Sequence, residues 1–393
     1  MSDEVVIAGY ARTAMGGFQG ALAGLKATEL GSAAVRAAVE RSGVAGADID
    51  RVFMGLVLPA GLGQAPARQA ALGAGLPESV EATTVNKMCG SGMQAAILAH
   101  DTLKAGSADI IVAGGMESMT NAPYALLKHR GGARIGHDRI FDTMMLDGLE
   151  DAYTPGKPMG AFAEDAARDF QMSRAEQDAY ALRSLDRARR AIAEGGFAQE
   201  IVPVTVPGRR GDTIVDTDEQ PGRADPERIP ELKPAFVKDG TVTAANSSSI
   251  SDGAAALVLT RASVAAARGL DVTARVVGHA AHAHAPALFT TAPVAAIGKL
   301  LDRIGWTVGD VDLFEVNEAF AVVAMIAARE LSIPEDRLNI HGGATALGHP
   351  IGASGARILT TLLAALKRHG GRRGIASLCI GGGEATAMAV ELV

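Results

Sequence analysis

Short apolar runs rich in β-branched residues alternate along this chain with longer segments of helical apolar spacing. Glycine, serine or proline ends most segments, as expected where strands and helices stop. Because continuous apolar runs are typical of strands covered on both faces, the alternation predicts a mostly parallel sheet with helices on either side. In the first 118 residues the predicted strands are 5–8, 49–55, 83–85 and 108–115, and the predicted helices are 29–44, 64–76 and about 91–104.

The pattern changes after residue 118, where charged residues, glycine and proline become frequent. Only 173–194 has clear helical spacing, and 252–260 returns to a buried strand. Charge runs such as 128–134 are more typical of a solvated face than of a binding site, although they could also hold an anionic group. We interpret the region as an insertion that lies over the core, not as a separate catalytic domain.

The second half of the chain repeats the first, without the insertion. Asp310-Val311-Asp312, for example, repeats Asp48-Ile49-Asp50 ahead of an apolar run. The sequence therefore predicts an α/β protein with two βαβαβαββ halves packed face to face about a pseudo-two-fold axis. Ligands of such sheets bind at the carboxyl ends of strands, so the site is expected where those ends meet. The predicted units are 1–118 for the first half, 119–249 for the insertion, 250–270 for the last strand of the first half, and 271–393 for the second half.

Composition narrows the class of protein. The 393 residues are 48% hydrophobic and only 4% aromatic, which suits two or three α/β units with closely packed layers. A net charge of −7 argues against nucleic-acid binding, so an anionic ligand would need a local basic patch. An acidic start without a signal peptide, and the lack of an apolar run of about 20 residues, predict a cytoplasmic protein with no membrane partner.

Two cysteines, Cys89 and Cys379, are too few for a disulfide framework, and no CxxC pair is present for zinc. Cys89 lies in a predicted strand-to-helix turn, where helix N–H groups would favour its thiolate. Gly90 and Gly92 would leave the sulfur open to an acyl group. For an isolated cysteine, a buried packing role among glycines is the more common alternative.

Four turns fall at predicted strand ends, namely the Cys89 turn, 317–320, 348–355 and 379–383. Neither GxGxxG nor GxxxxGK[ST] is present, so no nicotinamide or P-loop nucleotide is expected. Together the turns supply a thiol nucleophile, a histidine base, a second thiol and amide donors for an oxyanion. This set suits carbon–carbon bond formation or cleavage through thioesters.

In these four motifs, and in its repeat and insertion, the chain resembles the thiolase family over its whole length. The resemblance implies the thiolase fold, a five-layer α-β-α-β-α core with an inserted loop domain. It also implies that Cys89 is the acylated nucleophile, His349 its activating base and Cys379 the acid/base at the α-carbon. The amides of Cys89 and Gly381 would form one oxyanion hole, and His349 with a water held by Asn317 the other.

The resemblance further implies substrates, partners and an oligomer. The reaction would be a ping-pong Claisen condensation of two acetyl-CoA, or the reverse thiolysis, in a homotetramer with no resident cofactor or metal. The alternatives are a longer-chain 3-ketoacyl-CoA thiolase and a non-catalytic acyl-CoA-binding relative. Pro158 stands where many relatives carry histidine, which leaves the acyl-chain preference open. The residues implied to bind substrate or coenzyme A are Ser248, Met159, Ala319, Phe320 and Arg223.

Three histidines outside these motifs, His279, His282 and His284, lie close together in the sequence. No cysteine or carboxylate is near them along the chain, and a metal needs three or four converging ligands. We therefore predict no metal site there. The acidic residues of 164–169 are interpreted as charges on a helix face.

Overall fold

In the computed structural model, which describes residues 3–393, strands and helices alternate in both halves as expected from the sequence. The strands are β1 Val5–Thr13, β2 Gly16–Gly17, β3 Arg51–Gly55, β4 Glu81–Val85, β5 Ile110–Ser118, β6 Tyr124–Ala125, β7 Phe141–Asp142, β8 Ile201–Val202, β9 Val204–Val206, β10 Thr213–Val215, β11 Ser251–Arg261, β12 Ala274–Ala283, β13 Leu313–Val316, β14 Arg373–Ile380 and β15 Glu384–Leu392. The helices are α1 Ala27–Ser42, α2 Pro66–Gly73, α3 Ser91–Lys104, α4 Met159–Asp169, α5 Arg174–Ala193, α6 Glu219–Arg223, α7 Ala262–Arg268, α8 Ala292–Ile304, α9 Ala321–Leu331, α10 Ala344–Leu347 and α11 Ser354–His369.

Each half contributes one sheet. The first has the order β4-β3-β5-β11-β1 and the second β13-β14-β15-β12. Both sheets are mixed and not mostly parallel as predicted, because β11 and β15 run opposite to the other strands and make antiparallel pairs with both of their neighbours. The two sheets meet where β1 and β12 pair through only two residue pairs, Val6 with Arg275 and Ile7 with Ala274.

Helices form three layers around the two sheets. Helices α1 and α2 pack on the outer face of the first sheet, and α8 and α9 on the outer face of the second. Helices α3 and α11 lie between the sheets, so the halves face each other across a shared helix layer. On β5, Ile111 and Ala113 face that layer while Ile110 and Val112 face α1 and α2. This burial of both faces explains the continuous apolar runs, and the predicted five-layer core is confirmed.

Matching hydrogen bonds support the predicted repeat. Asp50 accepts the N–H groups of residues 109 and 110 at 2.7 and 3.0 Å, which fixes the start of β5 beside β3. Asp312 accepts those of residues 372 and 373 at 2.7 and 2.8 Å, and so fixes the start of β14 beside β13 in the same way.

The halves differ in their third strand, which is complete as β4 but reduced to a single bridge, Phe314 with Leu338, in the second half. The two halves thus share the predicted topology, but the repeat is not exact at this point. Asn339 has a φ of +47°, and its side chain bonds the N–H and C=O of Val316 at 2.9 and 2.8 Å. The side-chain amide of Asn339 thus takes the place of the strand. Residues 339–353, which include the short helix α10, form a long turn before α11.

Residues 119–250, between β5 and β11, cover one side of the core and contain α4, α5 and α6. Helix α5 agrees with the predicted stretch, and Ser173 caps it through a capping box with Glu176. Buried Arg12 anchors this region to β1 through Glu200 at 2.7 Å and Asp218 at 2.7 and 2.8 Å. Within residues 3–393, no helix has both the length and the apolar character needed to cross a membrane.

The acidic residues of α4 agree only in part with their interpretation as face charges. Asp165 and Asp169 pair with Arg168 at the surface. Glu164 instead accepts the N–H groups of Thr241 and Val242 at 2.7–2.9 Å. This carboxylate therefore ties α4 to the segment that leads back towards β11.

Candidate active site

Three of the four predicted turns supply cysteine, histidine and glycine residues to one cavity of about 390 Å³. It lies where the carboxyl ends of strands from both halves meet, as expected for such sheets. The remaining turn contributes Ala319 and Phe320, and the insertion closes the other side. The principal residues of its wall are Cys89, Met145, Leu149, Met159, Phe236, Ser248, Phe289, Ala319, Phe320, His349, Ile351, Cys379 and Gly381.

Cys89 is held in a short turn between β4 and α3. Ser91 accepts the N–H of Lys87 at 2.8 Å and donates to the carbonyl of Met88 at 2.6 Å, which closes the turn on itself. Met88 has a φ of +46°, a left-handed conformation that costs free energy for a non-glycine residue. The backbone is thus bent sharply where the half-buried cysteine meets the cavity.

The sequence-based expectation of a Cys89 thiolate is wrong for the unliganded site. Burial raises the pKa of the Cys89 thiol to about 11, and the charge of Glu117 raises it further. N–H groups of Gly381 and of Cys89 itself donate to the sulfur and lower the pKa, but by less than burial raises it. These are also the two amides expected to form one oxyanion hole, so their direction towards the sulfur agrees with that prediction.

Gly90 and Gly92 also serve packing, a role that the sequence did not predict. A Cβ on Gly90 would lie 2.3 Å from Ile380, and one on Gly92 would lie 2.8 Å from the backbone nitrogen of Ala356. On the facing helix, a Cβ on Gly355 would lie 2.3 Å from the backbone nitrogen of Met93. These glycines let the starts of α3 and α11 touch, and the Cys89 turn touch the end of β14.

His349 presents one ring nitrogen as a free acceptor. Its Nδ1 lies 2.5 Å from Ser354 Oγ, and that hydroxyl donates to the carbonyl of Pro350 at 2.9 Å. We therefore assign the proton to Nδ1, which leaves Nε2 unprotonated. Nε2 is buried and has no protein partner within residues 3–393.

The electrostatic environment keeps His349 neutral. Burial lowers its pKa to about 3, and the positive charge of Arg357 contributes in the same direction. The Cys89 thiol and the His349 imidazole both line the cavity, and both are thus neutral at physiological pH.

Asn317 lies behind His349 and does not belong to the cavity wall. Its Nδ2 is 3.4 Å from His349 Nδ1, and its Oδ1 accepts from Arg357 at 3.3 Å. It therefore contacts the base, whereas the water that the resemblance places between them remains a prediction.

Cys379 is the second-last residue of the buried strand β14, before a hairpin made by Gly381, Gly382 and Gly383. Gly382 and Gly383 have φ values of +97° and +89°, and a Cβ on Gly383 would lie 2.5 Å from the carbonyl of His284. Burial raises the pKa of Cys379 well above its ordinary value, and the nearby charge of Cys89 does so too. The glycine run thus brings the second thiol beside the first.

Four of the five residues expected to bind substrate line the same cavity. The N–H and hydroxyl of Ser248 both donate to the carbonyl of Ala319, at 3.0 and 2.9 Å. Arg223 is the exception, because it lies in a separate groove of about 310 Å³ and pairs with Glu219 at 2.8 Å. This groove shares Ala244 and Ser249 with the cavity, so the two adjoin.

Sequence reasoning missed several residues that shape the site. Buried Glu117 accepts N–H groups of Val57 and Gly352, each at 2.9 Å, and so ties β5 to the turn that carries His349. Lys87 pairs with Glu384 and thereby links the Cys89 turn to the glycine hairpin. A carboxylate inside the apolar run of β5 is a signal that could have identified Glu117.

The cavity, its two thiols and the duplicated core define a thiolase, and comparison with family models agrees. The model of the thiolase N-terminal domain matches residues 5–263, and that of the C-terminal domain matches residues 270–392. The chain therefore belongs to the thiolase family, and the predicted family and fold are confirmed.

The names of individual relatives are more specific than those of the two family models. The chain is 50% identical to acetyl-CoA acetyltransferase 2 of Arabidopsis thaliana, with 99% of this chain and 97% of that protein covered. It is 47% identical to acetyl-CoA acetyltransferase of Shinella zoogloeoides, with both chains fully covered. The crystal structure of the Bacillus anthracis acetyl-CoA acetyltransferase superposes with a TM-score of 0.97 at 40% identity, over 100% of this chain and 99% of that one. A thiolase of Ascaris suum in complex with coenzyme A superposes with a TM-score of 0.94 at 40% identity, over 99% and 100% of the two chains.

Proposed function

We propose that this thiolase is an acetyl-CoA C-acetyltransferase, which condenses two acetyl-CoA to acetoacetyl-CoA and coenzyme A and also catalyses the reverse thiolysis. The observation that carries the proposal is the convergence of Cys89, His349 and Cys379 on one largely apolar cavity. Full-length relatives named acetyl-CoA acetyltransferase favour the acetyl group over longer chains.

In the first half-reaction, Cys89 Sγ attacks the carbonyl carbon of acetyl-CoA while His349 Nε2 accepts the thiol proton. The amides of Cys89 and Gly381, which both point at the sulfur, are placed to stabilise the negative oxygen of the tetrahedral intermediate. The bond to the coenzyme A sulfur then breaks, and that sulfur leaves as a thiol with the proton held by His349. Acetyl-Cys89 remains, and no net charge has accumulated.

In the second half-reaction, the Cys379 thiol first loses its proton to solvent, because its raised pKa keeps it protonated at rest. The thiolate then removes a proton from the methyl group of a second acetyl-CoA, and His349, with the water proposed to be held by Asn317, stabilises the enolate oxygen. The α-carbon attacks the carbonyl of acetyl-Cys89, the carbon–sulfur bond breaks, and the Cys89 sulfur leaves. It takes up the proton from Cys379, and the Cys379 thiolate recovers a proton from solvent, which restores both thiols.

Coenzyme A thioesters are the substrates, and the proposed reaction needs no resident cofactor or metal. The thioester end would lie against Met159, Ser248, Ala319 and Phe320. The groove that contains Arg223 and Arg228 adjoins this wall, and these arginines would supply positive charge for a phosphorylated carrier, although Asp225 also lines the groove and Arg223 pairs with Glu219.

Mass spectrometry after brief exposure to acetyl-CoA tests the proposal. The wild-type protein should gain one acetyl group on Cys89, and Cys89→Ala should gain none there. Cys379→Ala should still be acetylated at Cys89 but should lose acetoacetyl-CoA synthesis, because only the second half-reaction uses Cys379. An unmodified Cys89 together with no turnover of acetoacetyl-CoA would contradict the function.

Chain length is a separate test. Thiolysis of acetoacetyl-CoA should be at least about tenfold faster in kcat/KM than thiolysis of ten- to sixteen-carbon 3-ketoacyl-CoA. The opposite order would identify a thiolase of fatty-acid β-oxidation, with the same chemistry at Cys89. We also propose, from the family resemblance, a cytoplasmic homotetramer, which light scattering of the purified protein and fractionation of cells would check.

A further inference from the structure

Two histidines and one aspartate converge on one point far from the active-site cavity. His100 and Asp101 lie on α3, and His279 lies on β12. The oxygen Asp101 Oδ1 is 2.9 Å from both His100 Nδ1 and His279 Nε2. The three candidate ligand atoms lie within 4.8 Å of one another, and the imidazole rings are nearly perpendicular, with centroids 5.0 Å apart. No carboxylate lies near His279 in the sequence, but Asp101 of α3, 178 residues earlier, supplies one in the structure.

We propose that His100, Asp101 and His279 form a binding site for a divalent transition-metal ion, with Zn²⁺ as the reference ion. Imidazole nitrogen and carboxylate oxygen are the ligands that Zn²⁺, Co²⁺ and Ni²⁺ share, whereas Mg²⁺ and Ca²⁺ prefer sites built from oxygen alone. This revises the sequence-based expectation that the chain has no metal site.

The distances suit such an ion. Ligand atoms at about 2.0–2.1 Å from a metal are separated by about 2.9 Å at right angles and about 3.4 Å at tetrahedral angles. The two 2.9 Å contacts already lie in this range, so the ion needs only small side-chain rotations to replace the hydrogen-bonding protons. The side chain of Asp101 is 55% exposed, which gives the ion a route in and leaves coordination positions for water.

The neighbouring histidines do not belong to the site. His282 and His284 make an edge-to-face contact with each other, and His284 Nε2 bonds the carbonyl of Leu288 at 2.8 Å. They lie on or just after the same strand as His279 and carry the same type of side chain. Both therefore serve as matched controls.

The location implies a structural role. Helix α3 belongs to the first half and β12 to the second, so a bound ion would join the two halves. His100 lies about 14 Å along the helix axis from Ser91, at the opposite end from the Cys89 turn. The ion would therefore stabilise the assembly of the halves without contacting substrate.

Equilibrium dialysis of the metal-free full-length protein against Zn²⁺, with the metal measured by mass spectrometry, tests the site. One ion per chain should bind the wild type and the control His282→Asn/His284→Asn. His279→Asn and Asp101→Asn should each weaken binding by more than about a hundredfold, because they remove a direct ligand while keeping similar size. Added Zn²⁺ should raise the Tm of the wild type and the control but not that of the two ligand variants.

Co²⁺ identifies the ligands and distinguishes the site from the cysteines. The wild-type complex should show visible d–d bands without a thiolate-to-cobalt charge-transfer band, and His279→Asn should lose the d–d bands. Equal metal binding by the wild type and both ligand variants would overturn the proposal, as would a charge-transfer band that persists in them, since the ion would then lie on a cysteine. Absence of binding to the wild type would overturn it as well.

Discussion

The two equivalent turns that precede α3 and α11 are built differently, although the halves around them share one topology. In the first half, residues 86–90 lead directly from the complete strand β4 to the helix and hold Cys89. In the second half, the strand is a single bridge, and residues 339–353 lead to the helix and hold His349. The repeat thus places the starts of α3 and α11 in contact. The short turn, residues 86–90, carries a thiol there, and the long turn, residues 339–353, carries an imidazole.

Length changes how each turn is fixed. The short turn is closed by its own neighbours, because Ser91 bonds both Lys87 and Met88. The long turn is fixed by groups outside it, notably Glu117, which accepts the N–H of Gly352 at 2.9 Å. The proposed nucleophile, Cys89, therefore lies on a self-contained turn, whereas the turn of the proposed base depends on contacts with the other half.

The largest effect is expected for substitution of His349, which lies on the long turn. His349→Ala should slow both acetylation of Cys89 and turnover by about 10²–10⁴-fold, since it removes the only proposed acceptor for the thiol proton. Rapid-quench mass spectrometry would measure the first rate and a spectrophotometric assay the second. Ser354→Ala removes the contact to His349 Nδ1 but keeps the imidazole, so it should slow acetylation and turnover less. Acetylation of His349→Ala at the wild-type rate would show that the long turn does not carry the base.

The second-largest effect is expected where the starts of α3 and α11 touch. Gly355→Ala should destabilise the protein by about 2–3 kcal/mol, because its Cβ would lie 2.3 Å from a backbone nitrogen of α3 and the helices must separate. Chemical denaturation would measure the free energy of unfolding.

Gly298→Ala is the matched control, since it lies in α8 with nothing within 4 Å of the new Cβ. It should raise the free energy of unfolding by up to about 1 kcal/mol through helix propensity. Similar effects of the two substitutions would mean that the helix starts need not touch.

A pH dependence should reveal the contact of Glu117 with the long turn. Burial raises the pKa of Glu117 from 4.5 to about 7. Between these values the unfolded chain has already lost this proton while the folded protein keeps it, so the free energy of unfolding falls as pH rises from about 4.5 to about 7. Glu117→Gln should remove that fall, which amounts to about 3 kcal/mol between these pH values, measured by denaturation at several pH values. Parallel curves for the two proteins would contradict the raised pKa.

The smallest effect is expected at the link between the short turn and the glycine hairpin. The side chains of Lys87 and Glu384 are 24% and 36% exposed, so the pair should contribute less than about 1 kcal/mol. Glu384→Gln should therefore lower kcat by no more than about fivefold, and added salt should reduce the difference. A loss comparable to that of His349→Ala would mean that this pair is essential for positioning Cys89.

Local patterns predicted much of the fold, because apolar spacing, caps and the Asp-x-Asp repeat are properties of short segments. Asp50 and Asp312 do make equivalent bonds, and the four motifs do lie around the junction of the halves. The sequence could not show what those segments would touch. The packing role of Gly90 and Gly92 depends on the facing half of the molecule. Likewise, the pKa of Cys89 depends on burial that exists only after the halves meet.

The place of β1 within the sheet also constrains how the protein is made. All its partner strands, β8, β11 and β12, lie beyond residue 200 of the sequence. During synthesis β1 therefore has none of these partner strands until residues beyond 200 have followed it. An unpaired apolar strand can associate with other chains, so the interval between synthesis of β1 and of β11 is the time of greatest exposure to aggregation. The insertion that covers the active site therefore also sets how long the nascent chain waits to complete its first sheet.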